Sequence, residues 1–207
     1  GGNGMVGSAL KKYLSTKQED NPFFAPSIKF LSSKECDLRL IEKTDELFKK
    51  NKPKIVIHLA GKVGGVKANS DFVGEFYTSN MFINMNVLHS AHKHGVNKLV
   101  SMLSTCIYPD KVKYPIKESY LHQGPPHESN FGYAYAKRMM EVQSRAYRKQ
   151  YGTNFINVVP NNIFGENDNF DLNDGHVIPS IIRKIYEAKK NNKTARLWGD
   201  GSVLRQF

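Results

Sequence analysis

The chain is poor in acidic charge, nearly free of cysteine, and has no long apolar run. Of its 207 residues, two are Cys, one is Trp and 19 are Asp or Glu, against 30 Lys or Arg. Two thiols, Cys36 and Cys106, cannot staple a disulfide scaffold and suit a reducing compartment, so a cytoplasmic protein is expected. The apolar runs around Ile55–Ala60 and Ile156–Pro160 are strand-sized, well short of the ~20 residues that cross a bilayer, and no membrane association is expected. The start is glycine-rich and runs straight into an amphipathic segment, which is not the pattern of a signal peptide. No cysteine or acidic ligand accompanies His89, His92 and His94, so no metal site is expected. Internal repeats and low-complexity tracts are also missing.

Hydrophobic residues make up 40% of the chain and charged residues 24%, a balance that supports a real core and excludes a disordered tail. The net charge of +11 raises the question of an anionic partner. Its distribution matters more: residues 178–207 carry seven Lys or Arg against two Asp or Glu. A cluster of that size can receive a phosphate-bearing small molecule as easily as a polynucleotide. Aromatic residues are not interleaved with the basic run, so nucleic acid is not expected, and Lys189–Lys193 reads as a solvated face.

Periodicity predicts helices over Met5–Leu14, Leu40–Asn51, Phe72–His94 and Tyr133–Tyr151, and strands over Ile28–Leu31, Lys54–Ala60, Leu99–Ser104 and Phe155–Pro160. A polar loop is expected over Gln18–Ser27. Strands alternating with helices of this length predict an α/β protein, a Rossmann-type doubly wound parallel sheet with helical crossovers on both faces. A glycine turn entering a helix calls for a preceding strand, and none stands before Gly1. At the other end, Leu204–Phe207 stops without terminal structure. The chain is therefore expected to be part of a longer polypeptide, and residues 1–207 alone are not expected to fold stably.

Three motifs carry chemistry. Gly1, Gly4 and Gly7 have G-x-x-G-x-x-G spacing, and glycines here let the backbone approach a pyrophosphate at the positive end of a helix. The strand Ile28–Leu31 runs into Ser32-Ser33-Lys34, two hydroxyls and a cation, which suit the 2′-phosphate of NADP better than the ribose hydroxyl of NAD. Tyr133-x-x-x-Lys137 puts a phenol and an ammonium on one helix face, one turn apart. A free phenol has a pKa of ~10, and a neighbouring cation is expected to lower it toward the working range. Ser104, at the end of an earlier strand, adds a hydroxyl donor.

Taken with His58-Leu59-Ala60 and Pro160-Asn161-Asn162, these motifs resemble the extended short-chain dehydrogenase/reductase family. Four blocks sharpen the likeness: Lys62-Val63-Gly64-Gly65, Ser104 to Pro109, Asp168-Asn169-Phe170 and His176-Val177-Ile178-Pro179. They are similar to the branch that epimerises C3 and C5 of GDP-4-keto-6-deoxy-D-mannose and reduces C4 with NADPH. The resemblance implies a nucleotide-binding domain over 1–163, incomplete at its start, and part of a substrate region over 164–207. It implies Ser104, Tyr133 and Lys137 as the reduction set, with Cys106 and His176 as the base and acid of epimerisation. NADP(H) would lie against Gly1, Gly4, Met5, Val6, Gly7, Ser33, Lys34, Leu59, Ala60, Lys137, Pro160, Asn162, Ile163 and His176. The GDP-linked deoxyhexose would lie toward Asn162, Lys184, Trp198 and Arg205, and a homodimer is the expected assembly. Asn3 departs from relatives that place a basic residue there, leaving the 2′-phosphate to Ser32, Ser33 and Lys34. Alternatives are another nucleotide-sugar 4-epimerase or dehydratase of the superfamily, which does not need Cys106 and His176, and a silent nucleotide-binding module.

Overall fold

A computed structural model of the chain describes residues 1–16, 27–172, 174–202 and 204. Most of the loop expected at 18–27 lies outside the described residues, as does Arg205. Three short strands, β1 (Ile55–His58), β2 (Lys98–Met102) and β3 (Phe155–Val158), form a parallel sheet in the order β1-β2-β3. In register, Ile55 pairs with Lys98 and Leu99 with Phe155. The described residues also form six α-helices: α1 (Met5–Thr16), α2 (Ile41–Asn51), α3 (Val66–Asp71), α4 (Val73–Lys93), α5 (Phe131–Tyr151) and α6 (Val177–Lys190). None of the described helices is long and apolar enough to cross a membrane.

Because side chains alternate along a strand, the pairing sorts the sheet into two faces. Val56, His58, Leu99, Ser101 and Phe155 share one, and there His58, Leu99, Ser101 and Phe155 are buried. Against it α4 and α5 pack together, α4 supplying Val87, Leu88 and Ala91 and α5 supplying Met140 to the core. Phe48 of α2 joins from outside α4. Each of the larger of these side chains, Phe48, Val87, Leu88 and Met140, contributes roughly 1.5–3 kcal/mol on burial. The opposite face carries Ile55, Ile57, Ile156 and Val158, which remain 38–63% exposed.

Residues 28–31, expected as a strand, join no ladder among the described residues. Their backbone meets the glycine turn instead, where the Gly2 amide donates to the Leu31 carbonyl at 2.8 Å. The helix expected over Phe72–His94 is α4; α3, which the sequence pattern did not show, precedes it, and the two meet at Phe72, with φ −123°, ψ 39°. Helix α6 is unforeseen; Pro179 sits in its first turn, where a missing N–H costs nothing.

Between the sheet and the helices lies a polar chain. His58 Nε2 is 3.0 Å from Asn84 Oδ1, and Asn84 Nδ2 donates to the Ala136 carbonyl at 3.4 Å, one residue before Lys137. An amide oxygen only accepts, so His58 carries its proton on Nε2. Burial is the main cause that drops the His58 pKa to about 3; the Lys137 charge adds to the drop and the bond to Asn84 opposes it. An unfolded histidine titrates near ~6.5. Below that value the unfolded chain takes a proton the native state refuses, so stability falls with acidification by ~1.4 kcal/mol per pH unit. The urea midpoint of the full-length protein should therefore drop between pH ~6.5 and ~4.5, and His58→Gln should flatten that drop. Equal slopes for the two proteins would show that His58 is not the titrating group.

Candidate active site

The three parallel strands end on the same side, and the segments beyond their ends line a single cleft of about 1540 Å³. After β1 come Leu59 and Ala60; after β2, Leu103 and Ser104; after β3, Pro160, Asn162 and Ile163. The carboxyl ends of parallel strands are where an open α/β sheet offers its binding crevice. At one end of the cleft lies the glycine turn, with Gly1, Gly4, Met5, Val6 and Gly7 in its wall.

The close approach that glycine permits is needed at both ends of this turn. A Cβ on Gly1 would come within 2.6 Å of the Ala60 nitrogen. One on Gly7 would sit 2.7 Å from the Gly2 carbonyl carbon and closer still to the carbonyl oxygens of Gly1 and Gly2. Backbone leaves no flexible end to move aside. Gly7→Ala is expected to cost ~1–3 kcal/mol of stability by overpacking and to weaken NADPH binding in a fluorescence titration. An unchanged melting temperature and affinity would contradict this role for the turn.

Helix α5 supplies the pair Tyr133 and Lys137. The Lys137 side chain is buried; its Nζ donates to the Met102 carbonyl at 2.9 Å and lies 5.8 Å from the Tyr133 ring centre. Burial pushes the Lys137 pKa down to about 8, with the charge of a Cys106 thiolate acting the other way. Tyr133 packs edge-on against Phe76 at 6.5 Å. Burial raises its pKa well above the ordinary phenol range, Cys106 adds to the rise, and the hydrogen bond with Ser104 opposes it. The expected acidification of the phenol by Lys137 is not found: burial dominates, and Tyr133 is held as a protonated acid.

Ser104 caps a short 3₁₀ turn at Thr105–Ile107, its Oγ accepting from the Cys106 amide at 3.5 Å. The Cys106 thiol donates to the same oxygen, 3.2 Å away. Burial pushes the Cys106 thiol up, while the Ser104 bond and the Lys137 charge pull it down. Ser104, Cys106 and Tyr133 thus share one hydrogen-bonded cluster, and all of them line the cleft. His176, the residue preceding α6, lines it too; its ring is half-exposed and leaves the helix terminus uncapped. Lys184 lies with its Nζ 4.6 Å from the Trp198 ring centre, both in the cleft wall, and Trp198 is 86% exposed.

Lys34, expected against the 2′-phosphate, does not line the cleft, whereas Ser32 and Ser33 do. The turn closes on itself there: Glu35 accepts from the Ser32 amide at 2.8 Å and hydroxyl at 3.0 Å. The basic group in that part of the lining is Arg39, which forks onto Asp37 at 2.7 and 2.9 Å and holds that carboxyl at about 2. Sequence reasoning also missed the residues that hold the loops. Buried Asn80 accepts from the Lys62 amide at 3.0 Å and donates to the Lys62 carbonyl at 2.9 Å. Asn69 donates to the carbonyls of Gly64 and Gly65, and Arg138 to those of Ile107 and Gly124. A signal existed for one of them: Asn80 and Asn84 stand one turn apart inside a helix, where asparagine is a poor former.

A family model described as the NAD dependent epimerase/dehydratase family matches residues 1–207. A GDP-L-fucose synthase of Dictyostelium discoideum is 49% identical over all of this chain and 63% of its own length. A probable GDP-L-fucose synthase of Drosophila melanogaster is 44% identical over all of this chain and 65% of its own. Among solved structures, a GDP-L-fucose synthetase from Naegleria fowleri bound to NADP superimposes with a TM-score of 0.90. It is 41% identical and covers 100% of this chain and 66% of its own. The chain thus spans somewhat under two thirds of the length of these relatives.

Proposed function

The chain belongs to the NAD dependent epimerase/dehydratase family, and from that footing we propose that the protein converts GDP-4-keto-6-deoxy-D-mannose to GDP-L-fucose. The reaction is epimerisation at C3 and C5 followed by NADPH-dependent reduction at C4. The observation that carries this reading is the single cleft that brings the glycine turn together with Ser104, Cys106, Tyr133, Lys137 and His176. The similarity to GDP-L-fucose synthases across the whole chain supports it.

The cradle fits a dinucleotide. Gly1 and Gly7 leave no room for a Cβ, and the turn opens into the cleft at the start of α1, where helix N–H groups favour a pyrophosphate. Ser32, Ser33 and Arg39 line the cleft together and would receive the 2′-phosphate, Arg39 in the role expected of Lys34. Leu59, Ala60, Pro160, Asn162 and Ile163 would flank the rest of the cofactor. When bound, NADPH supplies the hydride for the C4 carbonyl.

The chain's own residues handle the protons. Tyr133, protonated and hydrogen-bonded to Ser104, donates to the C4 oxygen and so stabilises the enolate on the way to both epimers. Cys106 removes the acidic C–H beside the ketone, and His176 returns a proton to the opposite face. Lys137, tied to the Met102 carbonyl, places a positive charge beneath the phenol. Lys184 and Trp198 offer a cation and an aromatic face to the nucleoside diphosphate, and Arg205 is assigned with them. Residues 1–163 form the nucleotide domain and 164–207 begin the substrate region. A homodimer in the cytoplasm completes the assignment, the compartment supported by two free thiols.

The test supplies the full-length protein with GDP-4-keto-6-deoxy-D-mannose and NADPH. Loss of NADPH absorbance with an L-galacto product supports the reading. No oxidation, or a product keeping its C3 and C5 configuration, defeats it. The second outcome would point to a plain 4-reductase.

A further inference from the structure

The side chain of Asp168 is only 7% exposed. Its Oδ1 accepts from the Asn169 amide at 2.7 Å, and its Oδ2 is buried with no partner among the described residues. A buried carboxylate with an unmet acceptor is costly and calls for a cationic or N–H partner. One basic group among the described residues lies within ion-pair reach of it: His176, whose Nδ1 is 3.9 Å from Oδ1. That is longer than a hydrogen bond. The half-exposed imidazole makes no other polar contact among the described residues, so a small rotation about its side-chain bonds can close the gap.

Both residues are set by one compact loop. The Gly175 amide donates to the Asp171 carbonyl at 3.0 Å, and the Asp174 carbonyl accepts from the Gly65 amide at 2.9 Å, fixing the loop to the segment after β1. Immediately beyond, α6 begins and fixes the backbone of His176.

We propose that Asp168 is the positioning residue of His176: it holds the imidazole with Nδ1–H turned to the carboxylate, leaving Nε2 as the atom that meets the substrate. This rests on the role given to His176 under the proposed function. An orienting acid behind an acid–base histidine selects its tautomer and stabilises the imidazolium formed when it takes a proton. No covalent step is added; the proton returned to the sugar leaves from Nε2 and is replaced there.

The test is Asp168→Asn in the full-length protein. Asparagine keeps the size and the acceptor for the Asn169 amide but loses the charge, so a loop-building role survives it. With NADP⁺ present and D₂O as solvent, deuterium entry at C3 and C5 should slow tenfold or more while NADPH affinity stays within twofold. In ¹⁵N spectra of histidine-labelled protein, taken where the imidazole is neutral, His176 should shift from the Nδ1–H toward the Nε2–H tautomer. Exchange within twofold of wild type, or an unmoved tautomer, would overturn the proposal. If wild type itself exchanges no deuterium, the proposed reaction fails, yet the spectra still decide the pairing. If the variant does not fold, a wild-type His176 lacking a proton on Nδ1 overturns it alone.

Discussion

Tyr133→Phe should abolish NADPH oxidation on the 4-keto sugar in the full-length protein, by ~10²–10⁴-fold, with NADPH affinity nearly unchanged. The ring fills the same space against Phe76, so no cavity opens and the fold is kept. What is lost is one hydroxyl, hydrogen-bonded to Ser104 and kept protonated by burial. Because the pKa is raised rather than lowered, Tyr133 is fully loaded as an acid at neutral pH. Its own titration should leave no limb in the rate profile near neutrality, and a limb near pH ~7 that disappeared in the variant would refute the assignment of Tyr133 as a buried acid. Full turnover by the variant would remove Tyr133 from the reaction altogether.

Cys106→Ser is expected to suppress solvent exchange at C3 and C5 by a similar ~10²–10⁴-fold, while reduction of an already epimerised substrate continues. The thiol is pushed up by burial, so little thiolate is present at rest. Below its pKa the thiolate fraction grows tenfold per pH unit. Exchange by the wild type should therefore climb with pH through the neutral range, and the variant should not show that climb. Exchange that is flat with pH in wild type, or retained in Cys106→Ser, would rule the thiol out as the base. The two variants differ in reach: Tyr133→Phe should slow both the hydride step and the enolate-forming step, whereas Cys106→Ser should stop the C–H chemistry alone.

The regular frame could be read from the chain because apolar periodicity reports on a core. Strands β1, β2 and β3 and helices α2, α4 and α5 fall within a few residues of their expected places. Helix α6 escaped because Pro179 looks like a breaker, although a first-turn proline is harmless. The segment 28–31 reads as a strand by composition, but a strand exists only where a neighbour supplies its ladder. At the site, the spacing of Tyr133 and Lys137 gave away their proximity, since four residues make one helical turn. The sign of the phenol shift was not legible, because it depends on how deeply α5 is covered. Nor was the place of Arg39, rather than Lys34, in the cleft wall, beside the turn that Glu35 folds back onto Ser32. The isolation of Asp168 Oδ2 is likewise a property of packing.

The polar side chains that brace the cleft reach for main chain. Lys137 bonds to the Met102 carbonyl, Asn80 to both backbone groups of Lys62, and Arg138 to the carbonyl of Ile107. Every amino acid offers a carbonyl and every one but proline an amide N–H, so positions 102 and 107, and 62 short of proline, can drift in identity without loosening those braces. A lineage built this way can reshape the lining of its cleft through loop side chains while the phenol and ammonium keep their stations.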